Sequence, residues 1–337
     1  MDYSDPTTWA SLAEIDPEYK KFLETAPAGP PPASDPAQIP HMRPIMKQMS
    51  LNSPAQQIDR TSVKQEDITI PARDGYNIPA VVFKPSSGAS GPLAVLFHGG
   101  GFLVGFPEME GPAAVALVQN HNATVVSVDY RMAPEHVFPK AIEDSWDALK
   151  WVAVNAHTFG ADPSKGFLLG GSSAGGNIAA VCSHLARDEK LSPPLTGIWL
   201  NYPITVGPDA VPGHLQKDYQ SNEQNATAPG IISKASLEMG RAIYKPDQTS
   251  DLFSPLIWST GHRGLPKTWL HACGLDPLRD DALLYERELR QAGVETHLEV
   301  YPGMPHGFDA MNSDLKQAAK HREDRAKAFA WILSGGN

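Results

Sequence analysis

Six short, almost wholly apolar runs, separated by longer amphipathic stretches, restrict what this chain can fold into. They lie at 93–97, 124–128, 167–169, 197–200, 268–273 and 297–301. Each is of strand length. A strand that is apolar throughout has both faces covered, the condition of a parallel sheet between two helical layers. The intervening stretches supply those layers. Ile142, Ser145, Trp146, Leu149, Val152 and Ala153 recur at helical spacing, as do Ile178, Val181, Cys182 and Leu185. A third helix is expected through Leu283, Leu284, Leu289 and Arg290, and a last one through Ala318, Ala319, Ala326, Phe329, Ala330 and Ile332. Upstream, 63–70 and 77–83 alternate as strands do, across the turn signal Arg73-Asp74-Gly75. The fold class read from this order is α/β, with a mostly parallel central sheet flanked by helices.

Two regions break the rhythm. Residues 1–60 are rich in proline and alanine, above all in Ala26-Pro27-Ala28-Gly29-Pro30-Pro31-Pro32-Ala33, where the prolines forbid a long helix. Such a segment is a floppy tail or an arm packed over a later domain. Residues 204–257 hold no clear strand and one helical patch, at 233–244. An insertion of that length forms a lid or cap more often than a structureless loop. The expected organisation is an N-terminal cap arm (1–60), a core in two parts (61–203 and 258–337) and a cap insertion (204–257).

Composition removes several function classes. The 337 residues carry a net charge of -10, with no stripe of Lys and Arg to track phosphates, so no nucleic-acid partner is expected. No apolar run approaches the ~20 residues that span a bilayer. Met1 to Ala10 is acidic without an apolar centre, so no signal peptide is read and a cytoplasmic location is expected. Cys182 and Cys273 are too few for a disulfide framework and read as buried free thiols. No H-E-x-x-H or C-x-x-C spacing occurs, so neither metal nor cofactor is expected.

Chemistry concentrates in three places. Gly171-Ser172-Ser173-Ala174-Gly175 stands between the run at 167–169 and a helix beginning near Asn177. A serine on a sharp strand-to-helix turn needs small residues two before and two after it, and the helix N-terminus favours negative charge there. An ordinary glycine-rich turn would look similar. His98-Gly99-Gly100-Gly101-Phe102, after the run at 93–97, decides between them. Glycines expose backbone N–H groups to a developing oxyanion, and lipases and esterases combine this loop with the serine turn. A phosphate loop would end in Gly-Lys-Ser/Thr, which is absent. Partners in the order acid, then histidine, are Asp276, just past the run ending at Cys273, and His306 in Pro302-Gly303-Met304-Pro305-His306-Gly307-Phe308. Asp280 and Asp281 are rivals whose place at a helix start suggests capping.

Taken in order, the HGGGF loop, Asp129-Tyr130-Arg131-Met132-Ala133-Pro134-Glu135-His136, the GSSAGG turn, Asp276-Pro277-Leu278-Arg279-Asp280 and Pro305-His306-Gly307-Phe308 resemble the hormone-sensitive-lipase-like esterases from about residue 60 to 335. The resemblance implies the α/β-hydrolase fold with a helical cap, and a Ser173, His306, Asp276 triad. It implies oxyanion donors at Gly100, Gly101 and Ala174, with Gly99 shaping the loop, and substrate contacts at Phe102 and Ser172. Asp129, Arg131 and Glu135 are expected to brace the oxyanion loop. Ser172 departs from the Asp or Thr that many relatives carry before the nucleophile, which leaves the subgroup open.

The expected function is hydrolysis of a small-molecule ester or lactone with a short-to-medium acyl group, in a protein that is a candidate homodimer by family analogy. Trp9, Leu12, Phe22, Ile45, Met46 and Met49 either line the substrate pocket or anchor the arm. Acyl transfer, amide hydrolysis and recruited elimination or cyclisation chemistry use the same site. A non-catalytic small-molecule receptor on this scaffold, as in the plant gibberellin receptors, would have lost the histidine that stands here as His306.

Overall fold

The structure is a computed structural model that describes residues 3–25, 36–311 and 314–334. The proline-rich run at 26–33 lies outside the described residues. The strands are β1 (Val63–Pro71), β2 (Asn77–Pro85), β3 (Leu93–Phe97), β4 (Thr124–Val128), β5 (Phe167–Ser172), β6 (Gly197–Asn201), β7 (Lys267–Cys273) and β8 (Thr296–Tyr301). The helices are α1 (Pro17–Thr25), α2 (Ile39–Leu51), α3 (Gly111–His121), α4 (Lys140–Asn155), α5 (Ala174–Asp188), α6 (Ser221–Gln224), α7 (Lys234–Tyr244), α8 (Arg279–Gln291), α9 (Phe308–Met311) and α10 (Lys316–Leu333).

The strands form one sheet in the order β1-β2-β4-β3-β5-β6-β7-β8. β1 pairs antiparallel with β2, and β2 with β4; every later pairing is parallel. Alternation along the strands sorts side chains into two layers. Val95 and Phe97 of β3, Val126 of β4, Leu169 of β5 and Leu200 of β6 pack with α4, α5 and α8. Ala94, Leu96, Val125, Leu168 and Trp199 face the opposite layer, against Leu117 of α3 and Phe329 and Ile332 of α10. Each fully buried Leu or Phe contributes about 1.5–3 kcal/mol. At one edge, β1 exposes Lys64, Gln65, Glu66 and Asp67, charges and amides that discourage another strand from pairing there.

Each of the eight strands falls where the apolar and alternating runs put it. The helices required more. α3 carried no amphipathic signal, because Ala113, Ala114, Val115, Leu117 and Val118 are all buried and leave no polar stripe to read. In α10 the expected inner face is corrected. Ala318, Phe329 and Ile332 are buried, but Ala330 is exposed, and polar His321 and Arg325 take inward positions.

The two irregular regions are tied to the rim of the sheet that bears the serine turn. In the N-terminal arm, Trp9 and Leu12 are buried in the main core, and the Leu12 carbonyl accepts from Gly303 N at 2.7 Å. Residues 204–257 carry α6 and α7, and Ser233 caps α7 through a reciprocal bond with Ser236. Asp280 and Asp281 do not cap α8, whose N-cap residue is Leu278. Asp280 Oδ2 accepts from Gln220 N and Ser221 N at 2.7 and 2.6 Å. Asp281 Oδ1 accepts from Thr205 N and Val206 N at 2.8 and 3.2 Å. Both carboxylates thus hold the insertion's backbone to the core. Cys182 and Cys273 are free and buried. No helix of the described residues is long and apolar enough to cross a membrane.

Candidate active site

The turn between β5 and α5 forces Ser173 into φ 57°, ψ −117°, a conformation that L residues with side chains avoid. Its neighbours make that possible. A β-carbon on Gly175 would stand 1.9 Å from the Phe97 carbonyl oxygen, and one on Gly171 2.5 Å from Gly175, so only glycine lets the helix start this close to the strands. Ser173 N donates to Asn201 O at 2.8 Å, which fixes the turn to the end of β6.

Asp276 and His306 arrive from the ends of the next two strands. The loop after β7 carries Asp276 and the loop after β8 carries His306; they are joined by Leu275 N donating to Met304 O at 2.9 Å. His306 Nε2 lies 2.8 Å from Ser173 Oγ, and His306 Nδ1 lies 2.6 Å from Asp276 Oδ2. The other Asp276 oxygen accepts from Leu278 N at 2.8 Å, so both oxygens are engaged and the carboxylate is held in one orientation. Asp276 is fully buried and His306 nearly so. Tyr202 packs edge-on against the imidazole at 4.6 Å. The arrangement can move a proton between Ser173 and His306 while a buried carboxylate stabilises the imidazolium.

The glycine loop after β3 sits against this turn. A β-carbon on Gly99 would lie 3.4 Å from that of Ser173, and one on Gly100, at φ 115°, would lie 2.0 Å from Val104 O. Ala174 N is the first amide of α5, and the leading amides of a helix have no intrahelical acceptor. Tyr130 OH holds the loop's base, donating to His98 O at 2.7 Å.

The expected bracing network divides in two. Glu135 receives Arg43 of α2 through two 2.8 Å bonds, and Arg43 also donates to Leu103 O at 2.8 Å and Ala133 O at 2.7 Å. The arm is thereby clamped to the segment that follows the glycine loop. Arg131 does something else: it pairs with Asp144 of α4 and Asp74 of the first hairpin turn, at 2.6 and 2.8 Å. Asp129 stands 3.8 Å from the buried His98 ring.

Ser173 and His306 open into a cavity of about 410 Å³, together with Gly99, Ser172, Met49 and Ile231. A second cavity, about 60 Å³ and largely apolar, lies between Gly101, Phe102 and α7. Phe102 belongs to the second, stacked on Tyr244 at 4.2 Å; Ser172 belongs to the first. Of the six apolar arm residues named from the sequence, Met49 lines the larger cavity, whereas Trp9 and Leu12 anchor.

Sequence reading missed the polar floor of that cavity. Ser172 Oγ accepts from Asn201 Nδ2 at 3.2 Å, and Asn201 Oδ1 meets His321 and His271 at 2.9 and 3.1 Å. Burial pushes both imidazoles well below their ordinary value, so they are neutral. Tyr202 OH donates to Asp309 at 3.1 Å. Burial also raises the Glu110 carboxyl to about 7, although a hydrogen bond to Ser172 and the Arg325 charge pull it down. A position at the carboxyl end of a strand was the available signal for Asn201 and Tyr202. Glu110 and Arg325 gave none. Besides His306, His98, His184, His262, His271 and His321 are buried. Among the described residues, no group of three or more His, Cys, Asp or Glu side chains is placed to hold a metal ion.

Comparison with known proteins agrees with this geometry. A family model described as alpha/beta hydrolase fold matches residues 94–310. An AB hydrolase superfamily protein of Schizosaccharomyces pombe is 38% identical over 325 residues, covering 96% of this chain and 95% of the relative. The carboxylesterase NlhH of Mycobacterium tuberculosis is 36% identical over 312 residues, 90% of this chain and 91% of the relative. Among solved structures, a vibralactone cyclase superposes with a TM-score of 0.85 at 32% identity over 97% of both chains.

Proposed function

Because the chain belongs to the hormone-sensitive-lipase-like family of the alpha/beta hydrolase fold, we propose that it is a serine carboxylesterase acting on small-molecule esters through an acyl-enzyme on Ser173. The observation that carries the proposal is the continuous line Asp276–His306–Ser173, at 2.6 and 2.8 Å, opening into a cavity of about 410 Å³. That volume is in the usual range for small-molecule sites.

In this reading, Ser173 Oγ attacks the ester carbonyl as His306 Nε2 takes its proton. Asp276 fixes the tautomer and stabilises the imidazolium. The amides of Gly100, Gly101 and Ala174 receive the oxyanion, with Gly99 shaping the loop; one such donor is worth about 3 kcal/mol. His306 then protonates the departing alcohol. Water, deprotonated by the same imidazole, attacks the acyl-enzyme, releases the acid and restores Ser173. Residues 204–257 and the arm form the cap that separates the ester's two limbs.

A second reading has support from the vibralactone cyclase likeness at 32% identity. An internal hydroxyl of the acyl group would replace water and close a lactone on release from Ser173. The test for both is hydrolysis of a p-nitrophenyl ester series by wild type and Ser173→Ala, with product analysis. Turnover by wild type alone is expected. Full activity in Ser173→Ala would refute the proposal, and lactone release from hydroxyacyl esters would favour cyclisation.

A further inference from the structure

The larger cavity is lined by an arginine as well as by Ser173 and His306. Arg325, on α10, is 9% exposed and lines the same space as Ser173 and His306. Its Nε, itself closed off from solvent, has no hydrogen-bond partner among the described residues. Burying a guanidinium without full pairing is costly, and a pocket built only for an alkyl chain would have no reason to keep it. The carboxyl groups whose charge reaches Arg325 are Asp309 and Glu110. Neither forms an ion pair with it. The oxygens of Asp309 turn to Tyr202 OH, at 3.1 Å, and to the buried His321 ring, at 3.5 Å. Glu110, itself buried, holds its proton up to about pH 7 and so offers little negative charge below that. Arg322 adds a second cation to the same wall. Met49, Met109, Trp199 and Ile231 supply apolar lining to the same cavity.

We propose that Arg325 is a specificity-determining residue of this site, and that the ester limb seated in the larger cavity carries an acceptor oxygen that bonds its guanidinium. The inference rests on the esterase reading and adds the class of substrate: an ester whose acyl or alcohol limb bears a carbonyl or carboxylate several bonds from the scissile carbon, in place of a plain alkyl chain. The ligand oxygen accepts a charge-assisted hydrogen bond from a terminal nitrogen of the guanidinium, which the buried Nε cannot supply.

The test compares matched esters that differ only at the limb's end. For the acyl limb these are p-nitrophenyl valerate, levulinate and hemiglutarate; for the alcohol limb, the acetates of pentanol, a ketone-bearing pentanol and a hydroxyvalerate. Wild type is expected to favour the oxygenated member of one set by about tenfold or more in kcat/KM. The limb that responds identifies which half the cavity holds, and the ketone against the carboxylate separates a neutral from an anionic acceptor. In Arg325→Met the preference should vanish while the alkyl ester keeps its kcat/KM within about threefold. A preference for the alkyl ester in both sets, or one that survives Arg325→Met, would overturn the inference. If Arg325→Met does not fold, inhibition of wild type by the neutral amide levulinamide and by glutaramate against valeramide gives the same reading, and equal inhibition by all three overturns it. If wild type turns over no ester and a fluorophosphonate leaves Ser173 unlabelled, the esterase reading has failed. Thermal stabilisation by levulinamide or glutaramate over valeramide then still decides the role of Arg325, and equal stabilisation by all three overturns it.

Discussion

The buried carboxyl of Glu110 makes a quantitative prediction about pH and stability. It ends the short turn Pro107–Glu110 that leads into α3, is 5% exposed, and faces Ser172, Arg325 and Asp309. Burial disfavours its charged form and moves its titration from 4.5 to about 7. Converted at about 1.4 kcal/mol per pH unit, that displacement is about 3 kcal/mol. The sign follows from the folded state's preference for the neutral acid. Its contribution to stability is fully present below about pH 4.5 and is lost as pH rises through about 7. Glutamine keeps the shape and cannot ionise. Urea unfolding of wild type and Glu110→Gln, followed by tryptophan fluorescence at pH 5, 7 and 9, isolates the effect, because Arg325, Asp309 and the neutral histidines are common to both proteins. Glu110→Gln should gain about 3 kcal/mol on wild type between pH 5 and 9. A constant difference across that range would show that the carboxyl is not held neutral by burial and that Arg325 faces a charged Glu110.

Two further outcomes follow from the site. Asp276→Asn should keep the fold but lower kcat by about 10⁴, the size of the effect when the orienting carboxylate of a serine triad loses its charge; steady-state ester hydrolysis beside a thermal melt measures both, and a loss below tenfold would mean that His306 is oriented by other groups. Arg43→Met removes the clamp between α2 and the segment after the glycine loop, leaving the Leu103 and Ala133 carbonyls without their donor. About tenfold loss in kcat/KM and faster proteolysis within residues 36–60 are expected, at one charged hydrogen bond's worth of about 1.5–3 kcal/mol; unchanged cleavage would show that the arm is held elsewhere.

What the sequence discloses follows from the range of the interactions involved. Strands such as Leu93–Phe97 and Thr124–Val128 announce themselves because burial on both faces leaves an apolar run that needs no distant partner to interpret. The turn around Ser173 and the loop at Gly99 to Gly101 are legible for a related reason: their backbone geometry admits so few residue types that the letters carry the shape. Asp276 and His306 could be placed because they follow strands that were themselves legible. Legibility fails where function depends on pairs far apart in the chain. Arg43 and Glu135, or Asp280 and Ser221, meet only through the finished fold. Helix α3 hides because its less buried face carries Pro112 and Ala116 where polar residues would mark the period, and Arg325 hides because an arginine on a helix reads as solvent-facing until the cavity beneath it is seen.

The most direct test of the central claim is the mass of the protein itself. Wild type quenched in acid during p-nitrophenyl ester turnover, or incubated with a fluorophosphonate, should gain one acyl or phosphonyl group, located by peptide mapping on Ser173 and absent from Ser173→Ala. An unmodified protein that still turns over ester, or an adduct on Ser172 or any other residue, would contradict the account.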